Sequence, residues 1–136
     1  MKTYKTIALS KAYKLLNTGA LIVVSTSDTS QHHNLAPIAW NCPVEYDPVT
    51  QLLLVCDKEH KTFKNITETQ KFTVCVPHSS QHRLVTDLGS CSGQDTDKIS
   101  KYHVTVFKSE QNGYSVPEDM IAYLDCSLLR IIDQVL

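Results

Sequence analysis

Apolar residues fall in short blocks along the chain, and the spacing within each block predicts its element. Ala20-Leu-Ile-Val-Val24 is an unbroken, β-branched run bounded by turn residues, the pattern of a strand buried on both faces. Leu52–Cys56 is a second run of that kind. Lys71–Val76 instead alternates, with Phe72, Val74 and Val76 on one face, and Pro77 ends it. Val104–Phe107 predicts a further strand, Asn112-Gly113 a hairpin-like turn, and Ala122, Leu124, Cys126 and Leu128 the face of a long last strand. Helical spacing is confined to short stretches. Ala12, Leu15 and Leu16 follow a cap at Ser10 and precede Gly19; Phe63 and Ile66 follow a cap at Thr62; Leu84, Val85 and Leu88 follow Ser79 or Ser80 and precede Gly89. Asp95 is expected to cap one or two turns through Lys98. About five or six strands with short helices between them, and no regular βαβ alternation, predict a β-rich α+β fold, mostly antiparallel and closed or Greek-key.

The stretch Asn34-Leu-Ala-Pro-Ile-Ala-Trp-Asn-Cys-Pro-Val-Glu-Tyr-Asp-Pro48 breaks this regularity. It holds the only tryptophan and three of the five prolines. Ala36 and Ala39 fill little space and Pro37 removes a ladder donor, so the backbone is open to close approach by a flat molecule. A Pro-kinked edge strand with a core tryptophan reads the same way.

Composition narrows the class. The 136 residues fit one domain, 1–136, and with 42% apolar and 20% charged residues the chain is of ordinary globular type. A formal charge of −1 supplies no global field for nucleic acid or an anionic membrane, and the lysines that precede the first acid, Asp28, read as a solvated basic face. The longest apolar runs are far short of the ~20 residues that span a bilayer. Five widely spaced cysteines without a C-x-x-C pair, and no apolar N-terminal signal segment, predict reduced thiols in a cytoplasmic protein.

Candidate chemistry is sparse. Lys58-Glu-His-Lys-Thr62 precedes a helix, so free N–H groups, two lysines and a hydroxyl are able to hold a phosphate there; a charged loop with an ordinary Thr cap fits the same residues. Cys75-x2-His78-x3-His82 and His32-His33 do not supply a convergent zinc set, and no metal is expected. No G-x-S-x-G, P-loop, G-x-G-x-x-G or H-E-x-x-H occurs, and nothing sets a thiol beside a base, so no catalytic side chain is expected.

Three motifs, in order, resemble the flavin reductase-like, FMN-binding split-barrel family that includes flavoredoxin and NAD(P)H:flavin oxidoreductases. Asn34-Leu-Ala-Pro-Ile-Ala-Trp40 with Pro43-Val and Asp47-Pro48 is similar to N-x-A-P-x-S-W…P-V…D-P-P; Lys58–Thr62 with Asn65-Ile66 is similar to the Thr-containing phosphate loop; Ser92-Gly-Gln-Asp-Thr-Asp-Lys98 is similar to S-G-R-D-x-D-K. The likeness runs from about Thr18 to Arg130. It implies an antiparallel Greek-key split barrel with short peripheral helices, and a homodimer with FMN at the interface. Asn34, Ala36, Pro37, Ile38, Ala39, Trp40 and Asn41 would line the isoalloxazine and ribityl chain; Lys58, His60, Lys61 and Thr62 would hold the phosphate; Ser92, Gly93 and Lys98 would close the site, from the same subunit or from the partner. The implied activity is hydride transfer from NAD(P)H to flavin and onward passage of electrons. An FMN-binding electron carrier with little turnover is the alternative, and a degenerate interaction or metal-binding barrel a weaker one.

The chain departs from the family pattern at several places. Ala39 replaces a serine, Val49 a proline and Gln94 an arginine. Loss of the serine hydroxyl is expected to weaken flavin binding by about 0.5–1.5 kcal/mol. Family members continue beyond the strand at Ala122–Ile132 into a return strand, which is expected to be absent here.

Overall fold

The computed structural model describes residues 3–16 and 21–133. In chain order the elements are a 3-10 helix at Leu9–Leu15, β1 (Ile22–Ser27), β2 (His33–Ile38), β3 (Asn41–Glu45), β4 (Gln51–Leu54), α1 (Lys61–Thr69) and β5 (Lys71–Val76). A 3-10 turn at Ser79–Gln81 leads into α2 (His82–Gly89), followed by α3 (Lys98–Lys101), β6 (Val106–Lys108), β7 (Ser115–Pro117) and β8 (Ala122–Ser127). The fold is a sheet-rich α+β arrangement with short helices, and its strand pairings are antiparallel. Four strands form the main sheet in the order β2-β1-β5-β8, while β3–β4 and β6–β7 are separate two-stranded ribbons, so the described strands do not close into one continuous barrel.

Both faces of the main sheet are covered, which explains why β1 is buried at every position. On one face Ile22, Val24, Val74 and Phe72 pack with Ile66 of α1 and with Leu52 and Leu54 of β4. On the other, Val23, Leu35 and Cys75 pack with Val85 and Leu88 of α2 and Val116 of β7. Asn65 of α1 crosses to β1, where its Nδ2 donates to Thr26 Oγ1 at 3.0 Å in a fully buried contact.

Several expectations need correction. The strand predicted from Ala20 begins at Ile22 and runs on to Ser27; Gly19 and Ala20 lie outside the described residues. Leu52–Cys56 is not buried on both faces: Leu52 and Leu54 face the core, whereas Leu53 and Val55 are exposed, because among the described residues no layer covers the outer side of the β3–β4 ribbon. Trp40 is no core residue at 73% exposure. The expected caps shift by a residue or two: Ala8 rather than Ser10 precedes the first 3-10 helix, His60 rather than Thr62 precedes α1, His78 caps the turn before α2, and Asp97 rather than Asp95 caps α3. The strand expected at Val104–Phe107 is Val106–Lys108, and its partner β7 was not foreseen because three residues are too few to display a period. No described helix is long and apolar enough to cross a membrane.

Candidate functional site

The stretch from Asn34 to Pro48 folds as two strands joined by a tight turn. Asn41 makes the turn: its backbone N–H donates to Ala39 O at 3.2 Å, and its Nδ2 donates to Ile38 O and Ala39 O at 3.2 and 3.3 Å. Val55 N–H then donates to Trp40 O at 3.0 Å, which brings the end of β4 alongside. The result is a cleft of about 280 Å³ lined by Ala36–Trp40 on one side and by Val55, Cys56, Asp57, His60 and Thr62 on the other. Alanine side chains leave the backbone within reach of anything that enters.

One end of this cleft is the start of α1. Asp57 builds the entry, accepting from Glu59 N–H with Oδ1 (2.8 Å) and from His60 N–H with its carbonyl (3.1 Å). The first bond along the helix axis is Lys64 N–H to His60 O at 3.2 Å, so the N–H groups of Lys61, Thr62 and Phe63 precede any intrahelical acceptor. Those N–H groups and the helix dipole favour an anion at this position. Thr62 is only 4% exposed, and its Oγ1 accepts from Asn34 Nδ2 at 3.4 Å, which leaves the hydroxyl proton to be donated elsewhere.

Asn34 lines a second cleft and is joined to the first through its bond to Thr62. It is 4% exposed, and its Oδ1 has no donor among the described residues. Gly93 lies directly against it: a Cβ at Gly93 would stand 2.6 Å from Asn34 Cγ. The third motif is thereby docked on the first, and only glycine fits there. Gln94 continues the docking, donating from Nε2 to Glu59 O and accepting at Oε1 from Lys64 Nζ at 3.2 Å. The residue standing for an expected arginine thus ties the loop to α1.

The charged residues divide by role. Lys61 Nζ pairs with Asp28 Oδ2 at 3.2 Å, both side chains mostly sheltered, and borders the second cleft rather than the first. Asp28 also accepts from His32 N–H and Ser30 N–H; the His32 backbone bond above all, then the His32 ring and Lys61, hold its carboxyl down to about 2. Lys58 is exposed and paired with Asp133 at the surface. Ser92 turns its hydroxyl inward along its own loop, accepting from Gln94 N–H at 3.1 Å. Lys98, expected to close the site, is buried at 5% exposure and donates to Leu35 O (3.0 Å) and Leu88 O (2.7 Å). Burial pulls its pKa below the ordinary lysine value. Its ammonium fastens α3 beneath β2 and does not reach the cleft. Val55, Cys56 and Asp57 are cleft residues that sequence reasoning missed; the Asp57-x-Glu59 turn ahead of a helix was the available signal.

A family model for the flavin reductase like domain matches residues 15–135. The chain belongs to that family. Among similar proteins is the uncharacterized protein YddH of Escherichia coli (strain K12), 32% identical over 131 residues, which cover 95% of this chain and 69% of YddH. Among solved structures, an FMN-binding domain of a flavin reductases-like enzyme from Shewanella baltica OS155 superposes with a TM-score of 0.84 at 30% identity, covering 92% of this chain and 65% of that one. Flavoredoxin of Desulfovibrio vulgaris (Miyazaki F) shares the fold, with a TM-score of 0.76 at 23% identity over 83% of this chain and 61% of its own. The flavin reductase-like chain described here therefore spans less than two thirds of either solved relative.

The site's own features fit the group that this family is named for. A flat ring needs the bare wall that Ala36 and Ala39 provide, and a phosphate needs the donors at the start of α1. Asn34, with a buried carbonyl lacking a donor beside a glycine that admits no Cβ, adds an acceptor at the junction.

Proposed function

We propose that this chain binds FMN in the cleft between Ala36–Trp40 and the start of α1, and acts as a flavin reductase-like oxidoreductase using NAD(P)H. The observation that carries this reading is the meeting of the small-residue cleft with the helix start, with Thr62 belonging to both. Bound FMN supplies the chemistry, accepting hydride and passing electrons onward singly or in pairs. The chain's part is binding and orientation. Ala36, Pro37, Ile38 and Ala39 give a wall without large side chains; the N–H groups of Lys61–Phe63 and the Thr62 hydroxyl hold the phosphate; Gly93 and Gln94 keep the loop of the third motif against Asn34 and α1. Asp57 orients that turn by accepting from the N–H groups of Glu59 and His60.

The cleft is open along Trp40 and Val55, both exposed. They continue onto the uncovered side of β3–β4, where Val44 and Leu53 are also exposed. A second copy of the chain laid on this face would complete the flavin site and bury the apolar strip, which supports a homodimer. Electron transfer with little NAD(P)H turnover is the second reading, favoured by Gln94, whose carboxamide is engaged on both sides and offers no cation to a nucleotide.

Absorbance spectroscopy and FMN titration of the purified chain test the binding. The expected result is a flavin spectrum in stoichiometric amount, or quenching of FMN fluorescence at micromolar concentration. A colourless protein that leaves FMN fluorescence unchanged sinks the proposal. Stopped-flow mixing of the loaded protein with NADH and NADPH then separates the readings: rapid bleaching is expected of the reductase, and none of the carrier.

A further inference from the structure

The second cleft, of about 530 Å³, is lined by Asn34 and lies between the loop after β1 and the β6–β7 ribbon. At its β6–β7 side, Lys108 and Ser115 form a cross-strand pair and His33 leans over them, its ring edge-on to Tyr114 with centroids 5.8 Å apart. Three close polar contacts define the arrangement. Ser115 N–H donates to His33 Nδ1 at 3.3 Å; Lys108 Nζ donates to Ser115 Oγ at 3.1 Å; and Lys108 Nζ stands 3.3 Å from His33 Nε2.

Ser115 N–H and the Lys108 ammonium both have only protons to offer, and a neutral imidazole has one acceptor nitrogen, so one of the two contacts sets donor against donor; with Nδ1 accepting from the buried Ser115 N–H, His33 carries its proton on Nε2. That N–H faces an ammonium, which has no lone pair. Two donors therefore oppose each other with no acceptor between them. Ser115 Oγ already accepts from Lys108, so its own proton is a third donor beside them. Ser115 is 2% exposed and held by the ribbon.

We propose that the Lys108–His33–Ser115 cluster is an oxyanion-binding site, taking a phosphate or carboxylate group of a small molecule that lies in the second cleft. One anionic oxygen placed against Nζ and Nε2 accepts from both and turns a repulsive contact into two charge-assisted bonds. Among the described residues none of the cleft's three carboxylates forms an ion pair with Lys108. Asp28 is taken by Lys61 and His32, and Asp97 by the N–H and hydroxyl of Ser100. Asp95 belongs to the opposite wall, with the loop of the third motif. Burial first, then the charge of Lys108, lower the His33 pKa, whereas Asp28 opposes them; the site's positive charge near neutral pH is thus that of Lys108.

The site does not depend on flavin binding, and its test needs no flavin. The whole chain, labelled with ¹⁵N, is titrated with inorganic phosphate, with adenosine monophosphate and with succinate at constant ionic strength, against sodium chloride as reference. The Ser115 amide and the His33 ring are expected to shift saturably in the millimolar range or below. Lys108→Gln should weaken that binding roughly tenfold, His33→Gln should weaken it less, and Lys108→Arg should retain it. Tighter binding of adenosine monophosphate assigns the site to a nucleotide phosphate, and tighter binding of succinate to an organic acid. Shifts that do not saturate, or that persist unchanged in Lys108→Gln with its thermal melt intact, overturn the proposal.

Discussion

At the scale of single residues, Gly93 and Asn34 are the most constrained pair at the candidate site. Asn34 is buried and unable to retreat, so the added methyl of Gly93→Ala overlaps it and lifts the loop of the third motif. FMN affinity is expected to fall about tenfold or more, in line with the cost of overpacking, while far-UV circular dichroism stays unchanged. Fluorescence titration reads the loss. Asp28 gives a prediction in pH. Its carboxyl, ordinarily at 3.8, is held down to about 2 by the His32 N–H, the His32 ring and Lys61. A depressed carboxylate adds stability that is complete above its unfolded-state value and disappears as pH falls through the folded one. The urea midpoint should therefore drop as pH falls from 3.8 towards about 2. Asp28→Asn should flatten that slope, and an unaltered slope in this variant would assign it to other carboxylates.

At the scale of elements, α1 carries the proposed phosphate end and is held by a polar peg as well as by Ile66. Asn65 donates to Thr26 Oγ1 inside the core, and both side chains are fully buried. Asn65→Ala leaves the threonine oxygen without its donor and should cost about 1–3 kcal/mol, measured by urea denaturation. FMN affinity, measured where the variant is still folded, should fall less than in Gly93→Ala, because the N–H groups at the helix start are unaltered. The β3–β4 ribbon illustrates a different point. Its two apolar positions toward the core and two toward solvent form an unbroken run in sequence, and a run of that kind does not distinguish cover by the same chain from cover by another.

At the scale of the whole molecule, the proposed homodimer would use the outer face of β3–β4. Val44 at 58% and Val55 at 51% exposure belong to the exposed apolar strip, so in the proposed dimer an acid at either position would be buried in the contact. Val44→Glu is expected to convert a dimer into a monomer by sedimentation and to lower FMN affinity with it. A wild-type chain that sediments as a monomer while binding FMN tightly would remove the homodimer from the proposal.

The strand blocks, the antiparallel sheet-rich class and the two segments that meet in the cleft were legible in the sequence, because alternation, β-branched runs and small residues beside prolines are local consequences of side-chain size and backbone stereochemistry. The joining of Asn34 to Thr62 and Gly93 was carried only by the resemblance of three motifs, since residues so far apart in sequence leave no periodic trace. Lys98 marks the limit. Its place in the third motif put it at the mouth of the site by resemblance alone, yet within this chain the carbonyls of Leu35 and Leu88 draw the ammonium under β2. Where a long cationic side chain ends is settled by which acceptors the packed fold leaves unpaired, and that is a property of the tertiary structure alone.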